Sequence, residues 1–147
     1  NLLVEVSGIG KTFPSIQSSE TVVAALQEYS EAAILLSLVT EKKYPTPNEL
    51  GVEASDYLMG LADVPGELRR QALDSLREGN LDAAESTLET MEEIFLYLVE
   101  AEEVSIMLRG MRRKLDVTRS VIERTRAEIT AEAGRRRLSK ELESIRD

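Results

Sequence analysis

The sequence contains no cysteine, no histidine and no tryptophan. Each absence removes a class of chemistry. Without histidine or cysteine there is no Ser–His–Asp triad and no Cys–His nucleophile, and no zinc, haem or iron–sulfur site that needs nitrogen or sulfur ligands. Disulfides are excluded, which fits a reducing, cytoplasmic setting. A resident metal ion would have to be held by oxygen, the ligand set of Mg²⁺, Mn²⁺ or Ca²⁺. Prolines number four and aromatics make up 4% of the residues, a composition suited to packed helices. The longest apolar stretch, Ala32–Val39, is interrupted by Ser37 and falls well short of the roughly 20 residues that a membrane span needs. No basic-then-apolar signal segment opens the chain, so the expectation is no membrane partner. The first residue is Asn1 rather than methionine, as in a fragment of a longer protein.

What is present is charge, unevenly placed. The 147 residues, room for a single all-helical domain over 1–147, carry a net charge of −9. Residues 1–108 account for −14 and residues 109–147 for +5. An acidic body with a basic C-terminal third can bind polyanions only through part of its surface. Gly10-Lys11-Thr12 suggests a phosphate loop, but Glu5 stands where that loop needs its first glycine, and a carboxylate there repels phosphate.

Periodicity and breakers predict an all-α protein, an antiparallel bundle of four to five helices. Residues 1–19 read as irregular, with Gly8, Gly10 and Pro14 as breakers. A first helix is expected from Glu20 to Lys42, ended by Pro45 and Pro47. Thr46-Pro47-Asn48-Glu49 has the form of a capping box with proline in the first turn, opening a short helix toward Gly51. A second long helix is expected from Ser55 as N-cap to Glu78, kinked at Pro65 and stopped by Gly79. Asn80 should cap a third, Leu81 to Glu100, with Ala83, Leu88, Met91, Ile94, Phe95 and Leu98 as its apolar stripe. The last should run from Glu103 past Ala133, with Val104, Met107, Leu108, Met111, Leu115, Ile122 and Ile129 recurring at helical spacing.

Within the first helix Glu28 and Glu31 lie about 60° apart on the helical wheel, on a face continued by Leu35, Leu38 and Val39. The helix is apolar around most of its circumference after Glu31, which predicts deep burial, and no Lys or Arg lies between Glu20 and Glu41. Buried, unpaired carboxylates cost several kcal/mol each, so a cation from elsewhere is expected. Asp63 and Glu67, four residues apart, offer a matching pair on the second long helix, and Gly60 and Gly66 would let the two helices approach closely. Four carboxylates converging in a dry pocket would suit a hard divalent cation acting on phosphodiesters. Acidic pairs of this spacing are also common on solvated helices, where they bind nothing, and Arg69 or Arg70 could pair with Glu67 in that case.

Two stretches carry a resemblance: Leu26-Gln27-Glu28-Tyr29-Ser30-Glu31-Ala32, and Ser55-Asp56-Tyr57-Leu58-Met59-Gly60-Leu61-Ala62-Asp63-Val64-Pro65-Gly66-Glu67-Leu68-Arg69-Arg70. With the helix-turn-helix around Gly79-Asn80 and the Leu108–Ile129 stretch, the chain resembles the translin family over roughly residues 22–130, and above all its translin-associated factor X (Trax) branch. The resemblance implies a helical subunit of a hollow homo-oligomer, octameric in that family, that binds single-stranded RNA or DNA. It also implies a possible translin-like partner subunit. A Trax-type subunit is a Mg²⁺-dependent endoribonuclease, and that role carries over onto Glu28, Glu31, Asp63 and Glu67 as catalytic and metal-binding acids. Val64-Pro65 departs from the family's usual Leu-Thr, and residues 1–19 do not match its long N-terminal helices.

On this reading Mg²⁺ or Mn²⁺ would be held by the four acids. Arg69, Arg70, Arg109, Arg112, Arg113, Lys114 and Arg119 would contact phosphates, or form an ordinary solvated basic face. Two alternatives stay open from the residues alone: a catalytically silent nucleic-acid-binding scaffold of the translin type, and an acidic helical adaptor for proteins.

Overall fold

The computed structural model describes residues 19–105, 108 and 110–146; the side chains of 102–105 and 146 are left aside. The expected irregular segment 1–19 lies almost wholly outside these residues, as does Arg109. The fold is all-α, with no strand among the described residues. In chain order the helices are α1 (Glu20–Glu41), α2 (Pro47–Leu50), α3 (Ala54–Leu61), α4 (Val64–Arg77), α5 (Leu81–Ser105) and α6 (Met111–Arg146). The chain forms two compact units, one ending at Val64 and the other beginning at Pro65.

In the first unit α1 packs on α3. Ile34, Leu38, Tyr57, Leu61, Ala62 and Val64 are its buried apolar residues. The expected capping box forms: the Thr46 N–H donates to Glu49 Oε2 at 2.7 Å, and the Glu49 N–H donates to Thr46 Oγ1 at 3.2 Å. Pro47 occupies the first turn of α2, where its missing N–H leaves no helical bond unmade. The Thr46 N–H, Lys43 Nζ at 2.9 Å and the Thr46 hydroxyl at 2.9 Å all donate to the Glu49 carboxylate and hold it down at about 2.

α1 differs from expectation. Ser30, Ile34 and Leu38 are its only buried residues, while Leu36 is 64% and Val39 52% exposed. An apolar circumference raises the gain from burial without supplying enough neighbours to achieve it. By length and composition α1 could cross a membrane, with an 18-residue window of mean hydropathy 1.5. Glu28 and Glu31 sit at its middle, however, where an ionised side chain in a bilayer costs about 2.5–3.5 kcal/mol.

The second long helix is broken rather than kinked. α3 ends at Leu61, residues 62 and 63 form a turn, and α4 starts at Val64. Proline explains this. In a continuous helix the Pro65 ring would press on the Leu61 carbonyl and leave one bond unmade, whereas in the first turn of a new helix it needs no donor. The Ala62 N–H closes α3 on Leu58 O at 3.1 Å, and the Asp63 N–H donates to Gly60 O at 3.0 Å. α3 also starts earlier than expected, with Glu53 rather than Ser55 at its N-cap.

In the second unit α5 packs on α6. Leu88, Met91, Ile94 and Leu98 of α5, and Met111, Leu115, Ile122 and Ile129 of α6, are buried as the periodicity predicts. Thr118 and Thr125 complete the α6 seam; each hydroxyl donates to the carbonyl four residues back, at 2.9 and 2.8 Å, which removes the cost of burying it. Gly79 ends α4 at φ 82°, and the Asn80 side chain caps α5 by accepting from the Ala83 N–H at 3.1 Å. α5 runs on to Ser105, and Gly110, at φ 93°, precedes α6. The last helix therefore begins at Met111 rather than at Glu103.

Gly60 and Gly66 separate sharply. A Cβ on Gly60 would lie 2.6 Å from the Gln27 carbonyl oxygen and 2.7 Å from Ser30 Cβ, whereas one on Gly66 would meet nothing within 4 Å. Only Gly60 is a packing glycine. Gly60→Ala is expected to destabilise the fold by about 1–3 kcal/mol through overpacking. Gly66→Ala should be neutral or stabilising by up to about 1 kcal/mol through the unfolded chain. Urea denaturation of both variants checks the contrast.

Candidate acidic site at the α1–α3 crossing

The crossing is built from two short patterns. On α3, Asp56 and Gly60 lie four residues apart on one face, with Asp63 in the turn that follows. On α1, Gln27, Ser30 and Glu31 present the opposing surface. Gly60 has no side chain, so the α1 backbone comes up against it: the Glu31 nitrogen lies 2.9 Å from where a Cβ would stand. Because the Asp63 N–H bonds to the Gly60 carbonyl, Glu31 and Asp63 both have backbone in contact with the same glycine.

The four predicted acids are not a dry cluster. Glu28 is exposed and Glu31, Asp63 and Glu67 are half-buried. Among the described residues no three acidic side chains are grouped closely enough to hold a metal ion between them. The burial expectation fails because α1 turns only a narrow face inward, and Glu28 lies outside that face. Glu31 and Asp63 both have interaction partners. Glu67 is in the second unit, in the first turn of α4, and accepts from Arg70 Nη1 at 3.2 Å. Residues 62 and 63 form a turn, so Asp63 lies outside the helices while Glu67 belongs to α4.

Among the described residues the most buried acid is Asp56, which the charge pattern of the sequence does not single out. Asp56, in the first turn of α3, is 8% exposed and accepts a hydrogen bond from the Gln27 side chain of α1. Burial pushes its carboxyl above the usual aspartate range, against the opposing pull of the Gln27 bond; the nearby Glu53 charge pushes the same way as burial. The available signal was spacing: Asp56, Gly60 and Asp63 follow one another at four and three residues, as the inward stripe of a helix does.

The donors suit a hard cation chemically, being carboxylate oxygens alone. Mg²⁺ keeps several of its waters and is usually bound by one or two carboxylates plus substrate phosphate. A half-buried Glu31 and Asp63 beside one glycine are compatible with that mode, and a closed three-acid cage is not required for it.

The basic residues divide by employment. Arg69 is 23% exposed and is tied to α6, donating to Thr125 Oγ1 at 3.0 Å and to Glu128 Oε1 at 2.7 Å. That makes it a strut within the second unit. Arg119 lies over the Phe95 ring, 5.4 Å from its centroid. It borders an α5–α6 groove of about 370 Å³ in which Arg126 and Glu92 are paired at 2.7 Å. Arg70, Arg112 and Arg113 are exposed, and Lys114 is half-buried with a partner.

An all-α fold, with polar residues on a glycine-centred helix crossing, places the chain among all-helical proteins. The translin family's sequence profile matches residues 12–127, and the chain belongs to that family. It is 34% identical over 104 residues to an uncharacterised protein of Methanocaldococcus jannaschii, a match covering 70% of this chain and 46% of the relative. The chain thus spans about half the length of that relative. Among solved structures it is similar to AfC3PO in complex with duplex RNA, at 34% identity and a TM-score of 0.81 over 92% of this chain and 70% of that one. It is also similar to apo-NeC3PO, at 30% identity and 0.75 over 84% and 63%.

The raised Asp56 carboxyl has a pH consequence. The folded chain holds this proton more tightly than the unfolded one. The group's contribution to stability is therefore full below the unfolded value, about 3.9, and is lost as pH rises through the folded value. Asp56→Asn still offers an acceptor to Gln27 and never ionises. It should melt above wild type at pH 7, with the difference closing below about pH 4; melting curves across that range check it.

Proposed function

We propose that the chain is a Trax-like subunit of a translin-family assembly that binds RNA and hydrolyses its phosphodiester bonds with Mg²⁺ or Mn²⁺. The observation that carries this reading is the contact of both Glu31 and Asp63 with Gly60. It sets the backbones of two of the four matched acids beside one residue, which supports the reading. The likeness to AfC3PO, solved with duplex RNA, supports RNA as the ligand.

In this reading Glu31 and Asp63, with Glu28, would hold the cation through carboxylate oxygens, while Glu67 lies in the second unit and pairs with Arg70. The bound ion would supply an activated water and neutralise charge developing on the phosphate. The protein's own residues supply the rest. Half-burial of Glu31 and Asp63 keeps the acids reachable by cation and by RNA. With no histidine in the chain, proton movement is left to water and carboxylate. Exposed Arg70, Arg112 and Arg113, together with Arg109, Lys114 and Arg119, are the candidate phosphate contacts, while the tie of Arg69 to Thr125 and Glu128 makes it a structural residue first. An acidic chain can hold RNA if subunits of a homo-oligomer, or a translin-like partner subunit, turn basic faces toward it. A reducing cytoplasm is the setting that the cysteine-free composition suits.

End-labelled single-stranded and duplex RNA incubated with Mg²⁺ test the proposal. Wild type should cut, EDTA should stop it, and Asp63→Asn or Glu31→Gln should slow cleavage by at least about 100-fold. Arg112→Ala should leave cutting chemistry intact and lower the salt slope of single-strand binding by about 0.7. Binding without any Mg²⁺-dependent cutting would favour the scaffold reading instead. That reading has one observation behind it, the lack of a three-acid group among the described residues.

A further inference from the structure

Asp56 presents a problem that packing alone does not answer. A carboxylate 8% exposed is an expensive way to tie two helices together when the donor it meets is the neutral side chain of Gln27. Its acidic neighbour Glu53 makes the charge costlier still. A serine or asparagine would join α3 to α1 at lower cost. What the carboxylate adds is a strong, charge-assisted grip on one amide.

Gln27 is where that grip is transmitted. Its carbonyl oxygen is the atom closest to the missing Cβ of Gly60, and Gly60 is one turn along α3 from Asp56. Gln27 therefore meets α3 twice, by side chain at Asp56 and by backbone at Gly60. It immediately precedes Glu28 and lies one turn before Glu31. Any slide or rotation of α1 on α3 that moved Glu28 and Glu31 away from the turn carrying Asp63 would first have to break the Asp56–Gln27 bond.

We infer that Asp56 is a positioning residue: its carboxylate holds the Gln27 amide, and through it fixes the α1 segment bearing Glu28 and Glu31 in register with the Asp63 turn. The inference rests on the proposed cation-dependent site, and it assigns Asp56 no contact with cation or substrate. Groups that orient metal-binding side chains typically change metal affinity by 10–100-fold when removed.

The test is the Mn²⁺ concentration that gives half of the maximal rise in melting temperature, measured on the full chain without RNA, with RNA cleavage as a second readout. Asp56→Ala should raise that midpoint about 10-fold although the variant remains folded. Asp56→Asn, which keeps an acceptor for Gln27, should return it to within about threefold of wild type. Gln27→Ala should match Asp56→Ala, and the double variant should be no worse than either, because both remove one interaction. If Asp56→Ala changes the metal-free melting temperature but leaves the Mn²⁺ midpoint at the wild-type value, Asp56 is only a structural tie and the inference falls. Additive effects in the double variant would overturn it equally. A wild type that shows no Mn²⁺ response and no Mg²⁺-dependent cutting brings down the proposed function itself, and this inference with it.

Discussion

The contact of the α1 backbone with Gly60 is the constraint on which the first unit depends. With the Gln27 carbonyl, Ser30 Cβ and the Glu31 nitrogen all within 3 Å of where a side chain would begin, α1 and α3 can share this geometry only if residue 60 is glycine. Close approach does two things at once. It seats Ser30 in the interior, where its hydroxyl donates to the Leu26 carbonyl at 2.8 Å. It also draws polar residues on both sides of the contact, Gln27 and Glu31 on one helix and Asp56 on the other, into a region that apolar side chains would otherwise fill. Polarity at this crossing follows from backbone proximity: where helices touch at a glycine, little volume remains for a large apolar residue between them.

The parts of the fold that were legible from residues alone are those set by local chemistry. Thr46 and Glu49 make their reciprocal bonds within four residues, Asn80 caps the helix it precedes, and Gly79 takes up a left-handed conformation open to it for want of a Cβ. The α6 seam was legible because Met111, Leu115, Ile122 and Ile129 keep one phase over five turns. What was misread depended on context. Pro65 is consistent with a kink or with the first turn of a new helix, and only the stop at Leu61 decides between them. Gly110 gives no sign of a break in the sequence because the apolar spacing on either side stays in phase. Glu28 was expected inside because its helix is apolar, yet burial needs partners, and α1 has them along one face only. Asp56 was passed over because a polar residue near a helix start looks like a cap, whereas this one points its charge into the packing.

The second unit uses its charges to hold itself together. Arg69 reaches α6 through Thr125 and Glu128, Arg126 pairs with Glu92 across α5 and α6, and Arg135 and Arg136 both bond to Glu132. Exposed pairs of this kind contribute little individually, about 0–1 kcal/mol, but they decide which cations are left to meet a polyanion. The basic C-terminal third is therefore less available than its +5 charge suggests. Arg70 too is partly committed, to Glu67, and Arg112 and Arg113 stand out as the exposed arginines at the start of α6. Sequence charge overstates the binding surface wherever helices supply their own counter-ions.

Half-exposure of the acids, at first sight a weakness of a cation site, is consistent with the chemistry assigned to it. A fully buried set of carboxylates would have to discard the ion's waters and would shut out a substrate as large as RNA, whereas Mg²⁺ binds readily with a few oxygens and much of its hydration intact. Such a site places its demand on register rather than on enclosure: a carboxylate from a helix and one from a turn must arrive at one place without a cage to gather them. Gly60 fixes how close the helices come. A second point of attachment is still needed to fix rotation and slide, and the Asp56–Gln27 bond, one turn away along α3, has the position to supply it. On the proposed reading, the crossing has a contact that sets distance and a hydrogen bond that sets phase, the two constraints that presenting Glu31 and Asp63 together would require.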